Sequence, residues 1–464
     1  MSFLIALAAL VFLMVAAYRG YSVILFAPLA AILAVALTDP AAVPTVFSGL
    51  FMEKMVGFVK LYFPVFLLGA IFGKLIEMSG FARAIVTAAI GLFGRERAIL
   101  SIVLVAALLT YGGVSLFVVV FAVYPFAAEM FRASDIPKRL IPATIALGAF
   151  TFTMDAMPGT LQIQNIIPTT FFKTDTWAAP TLGVIGALFV LTIGLLYLES
   201  RRRAALAAGE GYGEGHINEP DVVVADGAPV HAAIAVLPLA VVGIANKLLT
   251  AAIAQFYGAK TDVVLTPGGK VISADVAPIT AIWAVEGALL LGILTVLIFA
   301  WRTISQQFAE GTKTAVSGAL LASMNTASEY GFGAVIAALP GFLVISDALR
   351  TIPNPLLNEA VTVTALAGIT GSASGGLSIA LAAMADQFTA AANAAGIPLE
   401  VLHRVASMAS GGMDTLPHNG AVITVLAVTG LTHRQAYKDI FAITLIKTLA
   451  VFVIIGVYYA TGWV

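Results

Sequence analysis

Residues 410–420 read SGGMDTLPHNG and place an Asp, a His, an Asn, a Pro and three Gly inside a long apolar run. Pro417 has no N–H to donate and cannot continue a helix cleanly. Gly411, Gly412 and Gly420 loosen the backbone around it. The stretch therefore predicts a helix broken midway along its length. A second stretch, TMDAMPG at residues 153–159, repeats the pattern with Asp155, Pro158 and Gly159. Such a break leaves bare N–H groups at one new helix end and bare C=O groups at the other. In lipid this is tolerated only where protein or a wet cavity satisfies them.

The rest of the chain supplies the lipid. Its 464 residues are 60% hydrophobic and 11% charged, against about a quarter charged in soluble domains. Mean hydropathy is +1.00. Many apolar runs reach the roughly 18–20 residues that span a hydrocarbon core. Runs such as LIALAALVFLMVAA do not alternate as the strands of a membrane barrel do. The fold class is an all-α polytopic membrane protein. A net charge of −1 argues against a nucleic-acid partner, and the absence of Cys excludes disulfide and thiol chemistry. His216, His231, His403 and His433 are scattered, so no metal site and no cofactor are expected.

Ten full spans are expected, near 2–17, 21–38, 59–79, 140–168, 180–199, 231–255, 278–300, 314–345, 400–430 and 438–461. Two further stretches, about 98–132 and 357–394, are broken by glycines midway and read as re-entrant hairpins. The positive-inside bias places Arg19, Arg83, Arg95, Arg97, Lys138, Arg139, Arg201–Arg203, Arg302, Lys313, Arg434 and Lys438 on the cytoplasmic side, with both termini outside. Arg350 and Arg404 run against that bias. The polar, Gly-rich residues 201–230 read as a cytoplasmic linker, and TDVVLTPGGKVISAD at 261–275 as a small β-hairpin outside the membrane. Residues 84–93 are expected in the interface, and the four Trp near span ends.

The halves 1–200 and 231–464 resemble each other. Gly73 pairs with Gly333, Gly112 in YGGVS with Gly375 in SGGLS, Pro137 with Pro398, and Asp155 with Asp414, at offsets of 259 to 263 residues; Phe81 likewise matches Phe342. Each half carries five spans and one hairpin, and an odd number of crossings inverts the second copy. Inverted repeats around a central site are a design of secondary transporters.

Two broken helices and two hairpin tips would enclose one pocket near the midplane. Half-helix N-termini favour an anion there. Its candidate binding residues are Gly112, Gly113, Ser115, Gly159, Thr160, Ser372, Ser374, Gly375, Gly376, Ser378, Thr415, His418 and Asn419. Asp155 and Asp414 are candidates for ion coupling, because a carboxylate at this depth is costly unless paired or protonated. They read first as proton carriers, next as caps of the broken ends, and last as sodium ligands. His418 titrates in range and could share the proton. Glu329, in SMNTASEYGFG on the eighth span, is a further coupling candidate. Glu77 and Glu286 read as helix-packing or interfacial residues. An intramembrane aspartyl protease using Asp155 and Asp414 is the rival from another class, but SGGMD lacks the Gly-x-Gly-Asp signature. A channel is the other rival, and no filter repeat supports it.

LLGAIFGKLIEMSGFARAIV, YGGVSLFVVVFAVYPFAAEMFRASDIP and the MDAMPGT break together resemble the gluconate permease family of the ion transporter superfamily. The resemblance implies proton-coupled import of small organic anions, an elevator motion, a homodimer and a bacterial inner membrane. It covers most of both halves. The family's Pro-His-Pro-Gly-Pro-like segment is replaced here by Asp155-Ala156-Met157-Pro158-Gly159, and a Pro-His pair stands instead at Pro417-His418. A smaller hydroxy- or ketoacid such as 3-hydroxybutyrate then fits about as well as gluconate, and sodium coupling, known in the superfamily, stays open.

Overall fold

The computed structural model describes residues 2–19, 21–93, 97–114, 116–219, 230–341, 352–417 and 419–464. Ser115 and His418, both expected at the site, lie outside these residues, as do Arg95, Phe342 and Arg350. The chain is all-α and polytopic. Its helices are α1 (Ser2–Tyr18), α2 (Val23–Thr38), α3 (Met52–Met78), α4 (Phe81–Phe93), α5 (Ala98–Tyr111), α6 (Leu116–Ala133), α7 (Ile141–Ala149), α8 (Phe152–Asp155), α9 (Ile163–Phe172), α10 (Pro180–Ala207), α11 (Ala232–Tyr257), α12 (Thr280–Ile304), α13 (Phe308–Ala338), α14 (Pro355–Thr370), α15 (Ala373–Ala394), α16 (Leu399–Ser410), α17 (Gly420–Thr429) and α18 (His433–Thr461). Among the described residues, five helical stretches are long and apolar enough to cross a membrane: Pro40–Met78, Pro180–Ala207, Ala232–Tyr257, Thr280–Ile304 and His433–Thr461. Rows of exposed apolar residues, such as Leu25, Leu29, Leu33 and Leu37 on α2 or Leu290, Leu294 and Ile298 on α12, make a surface that water would not tolerate and lipid does.

Two layers pack together. α2, α3, α11, α12 and α13 form one. The other holds the helix pairs α5–α6 and α14–α15, the interrupted helices, and α10 against α18. α13 is the seam, with α2 and α3 on one side and α15 on the other. Glycines bring the seam's backbones close: a side chain at Gly333 would collide with the backbone of Ile379, and one at Gly331 with Phe51.

Several boundaries differ from expectation. The third span begins well before residue 59, because residues 40–51 continue helically into α3 through a π turn at Val46–Phe51, with Glu53 and Lys54 turned outward. Polar residues on an exposed face do not end a helix. The fifth span runs on to Ala207, because Glu199 pairs with Arg202 and Arg203 one turn ahead at 2.5 and 3.1 Å. Residues 210–219, within the stretch expected as the cytoplasmic linker, are clasped to the body. Arg139 forks onto Glu210 at 2.7 and 2.8 Å, Lys138 reaches Glu219 at 2.7 Å, Arg132 also pairs with Glu219, and Asn218 donates to the carbonyl of Ala427. The Pro-Gly-Gly hairpin is present as β1 (Lys260–Val263) antiparallel to β2 (Ile272–Asp275).

Candidate functional site

The first interruption opens earlier than Pro158. α7 ends at Ala149, a single turn forms α8, and α9 starts only at Ile163. Hydroxyls consume the released carbonyls: Thr151 Oγ1 donates to Leu147 O at 2.5 Å and Thr153 Oγ1 to Gly148 O at 2.6 Å. Gly159 has φ +77°, and any side chain there would collide with the indole of Trp177. The second interruption separates α16 from α17, whose N-cap Asn419 accepts from Val422 N at 2.9 Å.

Each interruption is tied to the tip of the neighbouring helix pair by an amide side chain. Gln162, the N-cap of α9, donates to Thr110 O at 2.7 Å and Val114 O at 3.3 Å. Asn419 donates to Gly371 O at 2.8 Å. Tyr111 adds a bond from its hydroxyl to Pro158 O at 2.9 Å.

The two interruptions also meet each other. Lys447 of α18 donates to Phe150 O, at the end of α7, at 3.0 Å, and forms an ion pair with Asp414. A cation there satisfies a helix C-terminus and a buried carboxylate together. Arg404 of α16 is fully buried. It donates to Ala178 O at 2.7 and 3.2 Å, Asp155 O at 3.1 Å and Asn165 Oδ1 at 3.0 Å. Ser407 Oγ also donates to Asp155 O, at 2.8 Å. The Arg that ran against the charge bias is thus an internal brace, not a membrane-edge charge. His403 beside it bonds Thr174 Oγ1 at 2.6 Å and Asn165 Oδ1 at 3.2 Å.

Asp155 is 3% exposed, and its Oδ2 has no hydrogen-bond partner among the described residues. It lies where a side chain on Gly411 would be. Of the expected polar residues, Thr160 donates to Thr153 O at 2.6 Å, and Thr415 shares a bond with Thr444 at 2.7 Å while its carbonyl accepts from Tyr437. These hydroxyls are occupied in holding the break together.

Other expected residues sit elsewhere. Glu329 is on α13, 3% exposed, with Oε2 unpartnered, and its carboxylate fills the place a side chain on Gly375 would take. Nearby, Thr326 and Ser374 hydroxyls are 3.3 Å apart, and Ser372, the N-cap of α15, accepts from Gly375 N at 3.0 Å. Ser378 Oγ is buried without a partner. Gly376 packs directly on the backbone of Ala367, so it closes the two limbs of the α14–α15 pair rather than lining open space. Gly112 faces Leu239 of α11, and Gly113 faces Leu161 and Leu289.

Sequence reasoning missed Lys447, Asn165 and the role of Arg404. It also missed Glu359 of α14, fully buried with both carboxylate oxygens unpartnered. The available signal was simple: each is a strongly polar side chain within an apolar span, which is rare without a reason.

No family model matches the chain. A protein of Bacillus subtilis (strain 168), described as the uncharacterized transporter YxjC, is 59% identical over 475 residues and is matched along 100% of both chains. Among solved structures, the Alcanivorax borkumensis YdaH transporter, reported to have an unusual topology, aligns with a TM-score of 0.50 at 15% identity, covering 91% of this chain and 90% of that one. That likeness is one of fold alone. With 59% identity along the whole of a transporter's length, the chain belongs to the transporter family of YxjC and is a multi-pass membrane transporter.

Proposed function

We propose that the chain is a secondary active transporter that carries a small organic anion together with protons across a bacterial inner membrane, in the manner of gluconate permeases. In this reading the halves are inverted repeats, the α5–α6 and α14–α15 pairs are re-entrant hairpins, and the layer holding them slides past a dimerising scaffold of α3 and α11–α13. The observation that carries the proposal is the meeting of the two interrupted helices, where Asp155 Oδ2 has no partner among the described residues while Asp414 is paired with Lys447. Asp155 is the proton carrier in this scheme and Asp414 the fixed partner. An aspartyl protease needs two carboxylates sharing a proton, and a Lys on one of them opposes that arrangement.

The substrate is a small carboxylate, gluconate or a short hydroxy- or ketoacid. It would bind among the hairpin tips and interrupted helices, at Gly112, Gly113, Ser115, Gly159, Ser372, Ser374, His418 and Asn419. A second reading, sodium coupling, is favoured by one feature. Glu329 stands with the hydroxyls of Thr326 and Ser374 in an oxygen-only group, the donor type hard cations take.

The test is purified protein in proteoliposomes. Saturable counterflow of a labelled carboxylate, and concentrative uptake driven by an inward proton gradient without sodium, are the expected results. Uptake that requires sodium and ignores the proton gradient moves the coupling to the second reading. No counterflow of any small organic acid ends the proposal.

A further inference from the structure

A cleft of about 460 Å³ opens between the tip of the α5–α6 pair and α11. This lies within the range of about 300–1,000 Å³ typical of small-molecule sites. Its wall is made by Tyr111, Gly112, Trp177, Leu239, Gly243 and Lys247, with only aliphatic side chains completing it.

Two polar groups stand out against these walls. Lys247 is an exposed cation on a membrane-spanning helix. It sits 4.5 Å above the centre of the Trp177 ring and makes no ion pair among the described residues. An ionisable side chain within a span marks a functional site by default. The aromatic face stabilises the ammonium but leaves its charge unneutralised. Trp177 itself has a buried indole N–H with no acceptor among the described residues. The same indole packs on Gly159, and Tyr111 donates to Pro158 O, so the cleft borders the first interruption directly.

We propose that this cleft is a binding site for a short-chain alkyl monocarboxylate. The carboxylate pairs with Lys247, and the alkyl tail lies along Leu239 and Gly243. The inference rests on the transporter reading for its role as an antechamber to the first interruption. The chemistry selects strongly. A sugar acid would bring hydroxyls into an aliphatic wall that offers them no partners, and each would lose its water uncompensated. An alkyl chain loses only unfavourable hydration.

The experiment is calorimetric titration of the full-length protein in lipid nanodiscs with hexanoate, gluconate and oleate. Hexanoate is expected to bind saturably, and gluconate at least tenfold more weakly. Lys247→Gln should weaken hexanoate at least tenfold. Gly243→Leu should abolish binding without lowering the melting temperature, because a side chain at Gly243 meets nothing within 4 Å and a helix glycine is replaced by a good helix former. Unchanged hexanoate affinity in both variants, gluconate binding as tightly as hexanoate, or oleate binding with hexanoate excluded would each overturn the assignment, the last giving the cleft to lipid-derived acyl chains. Hexanoate binding that both variants abolish, in a protein with no carboxylate counterflow, would leave the cleft standing and end the transporter scheme. Normal counterflow with hexanoate affinity untouched by both variants would end the cleft alone.

Discussion

At the first interruption the carboxylate of Asp155 keeps an oxygen without a partner among the described residues, whereas at the second the carboxylate of Asp414 is held by Lys447. The backbones around them are treated alike, each N-cap amide being tied to a neighbouring helix-pair tip. The charges are not. Both cations that brace the interruptions, Arg404 and Lys447, come from the second half. An offset of 260 residues puts Thr144 and Ala187 at the matching places in the first half. Two backbones of similar design thus hold their carboxylates in different company: Asp414 is paired with Lys447, and Asp155 is in no ion pair among the described residues.

Removing the cation tests this contrast most severely. Lys447→Met leaves Asp414 buried and unpaired and should cost about 3–5 kcal/mol. The readout is thermal unfolding in detergent, and Asp414→Asn in the same chain should restore at least half of the loss. A single variant melting with the wild type would mean that the pair contributes nothing and that the contrast is false.

A smaller effect is expected from the space around Asp155. Gly411→Ala drives a methyl group into that carboxylate and should cost about 1–3 kcal/mol. Gly420→Ala meets nothing within 4 Å and should be neutral or mildly stabilising. Asp155→Ala combined with Gly411→Ala should recover stability, and strict additivity of the two would separate the residues.

Asp155→Asn is nearly isosteric and should change stability by less than about 1 kcal/mol, since it removes no ion pair. In proteoliposomes it should lower proton-driven uptake at least tenfold and leave exchange in place. Uptake that keeps its full pH dependence would remove Asp155 as the carrier.

The smallest effect lies outside the spans. Glu210 is held below the ordinary glutamate range by its hydrogen bonds to the Arg139 guanidinium, despite partial burial that acts the other way. A depressed carboxylate contributes stability above its unfolded pKa of about 4.3 and loses it as pH falls through the lower folded value. The partly exposed pair contributes at most about 1 kcal/mol. Protection of the amides in residues 210–219, taken relative to the intrinsic exchange rate at each pH, should therefore fall below about pH 4 and be flat from pH 5 to 8. Protection that changed across neutral pH would point to a different titrating group in the clasp.

Much of the architecture was legible because its signals are local. Pro417 and the glycines around it mark an interruption without reference to anything distant, and the Pro-Gly-Gly turn marks the β-hairpin in the same way. The first interruption was placed too late. Pro158 is visible in the sequence, but the end of α7 at Ala149 depends on Thr151, Thr153 and Lys447 taking up its carbonyls. That residues 210–219 of the linker clasp the body was not legible, because their acids and amides show no target until Arg139, Lys138 and Ala427 stand beside them. Gly376 looked like open backbone at a tip, and only the position of Ala367 makes it a packing residue.

By itself the sequence determined that this chain lives in lipid, is helical, and breaks its helices around Asp155 and Asp414, because hydropathy, period and the missing proline N–H act within a few residues. Only the tertiary structure decided that Arg404 turns inward, that Lys447 crosses to Asp414 and Phe150, and that Lys247 stands over Trp177 beside an open cleft. The physical reason is that a charge's partner is set by which distant backbone ends the packing brings within about 3 Å, and no local property of the chain records that distance.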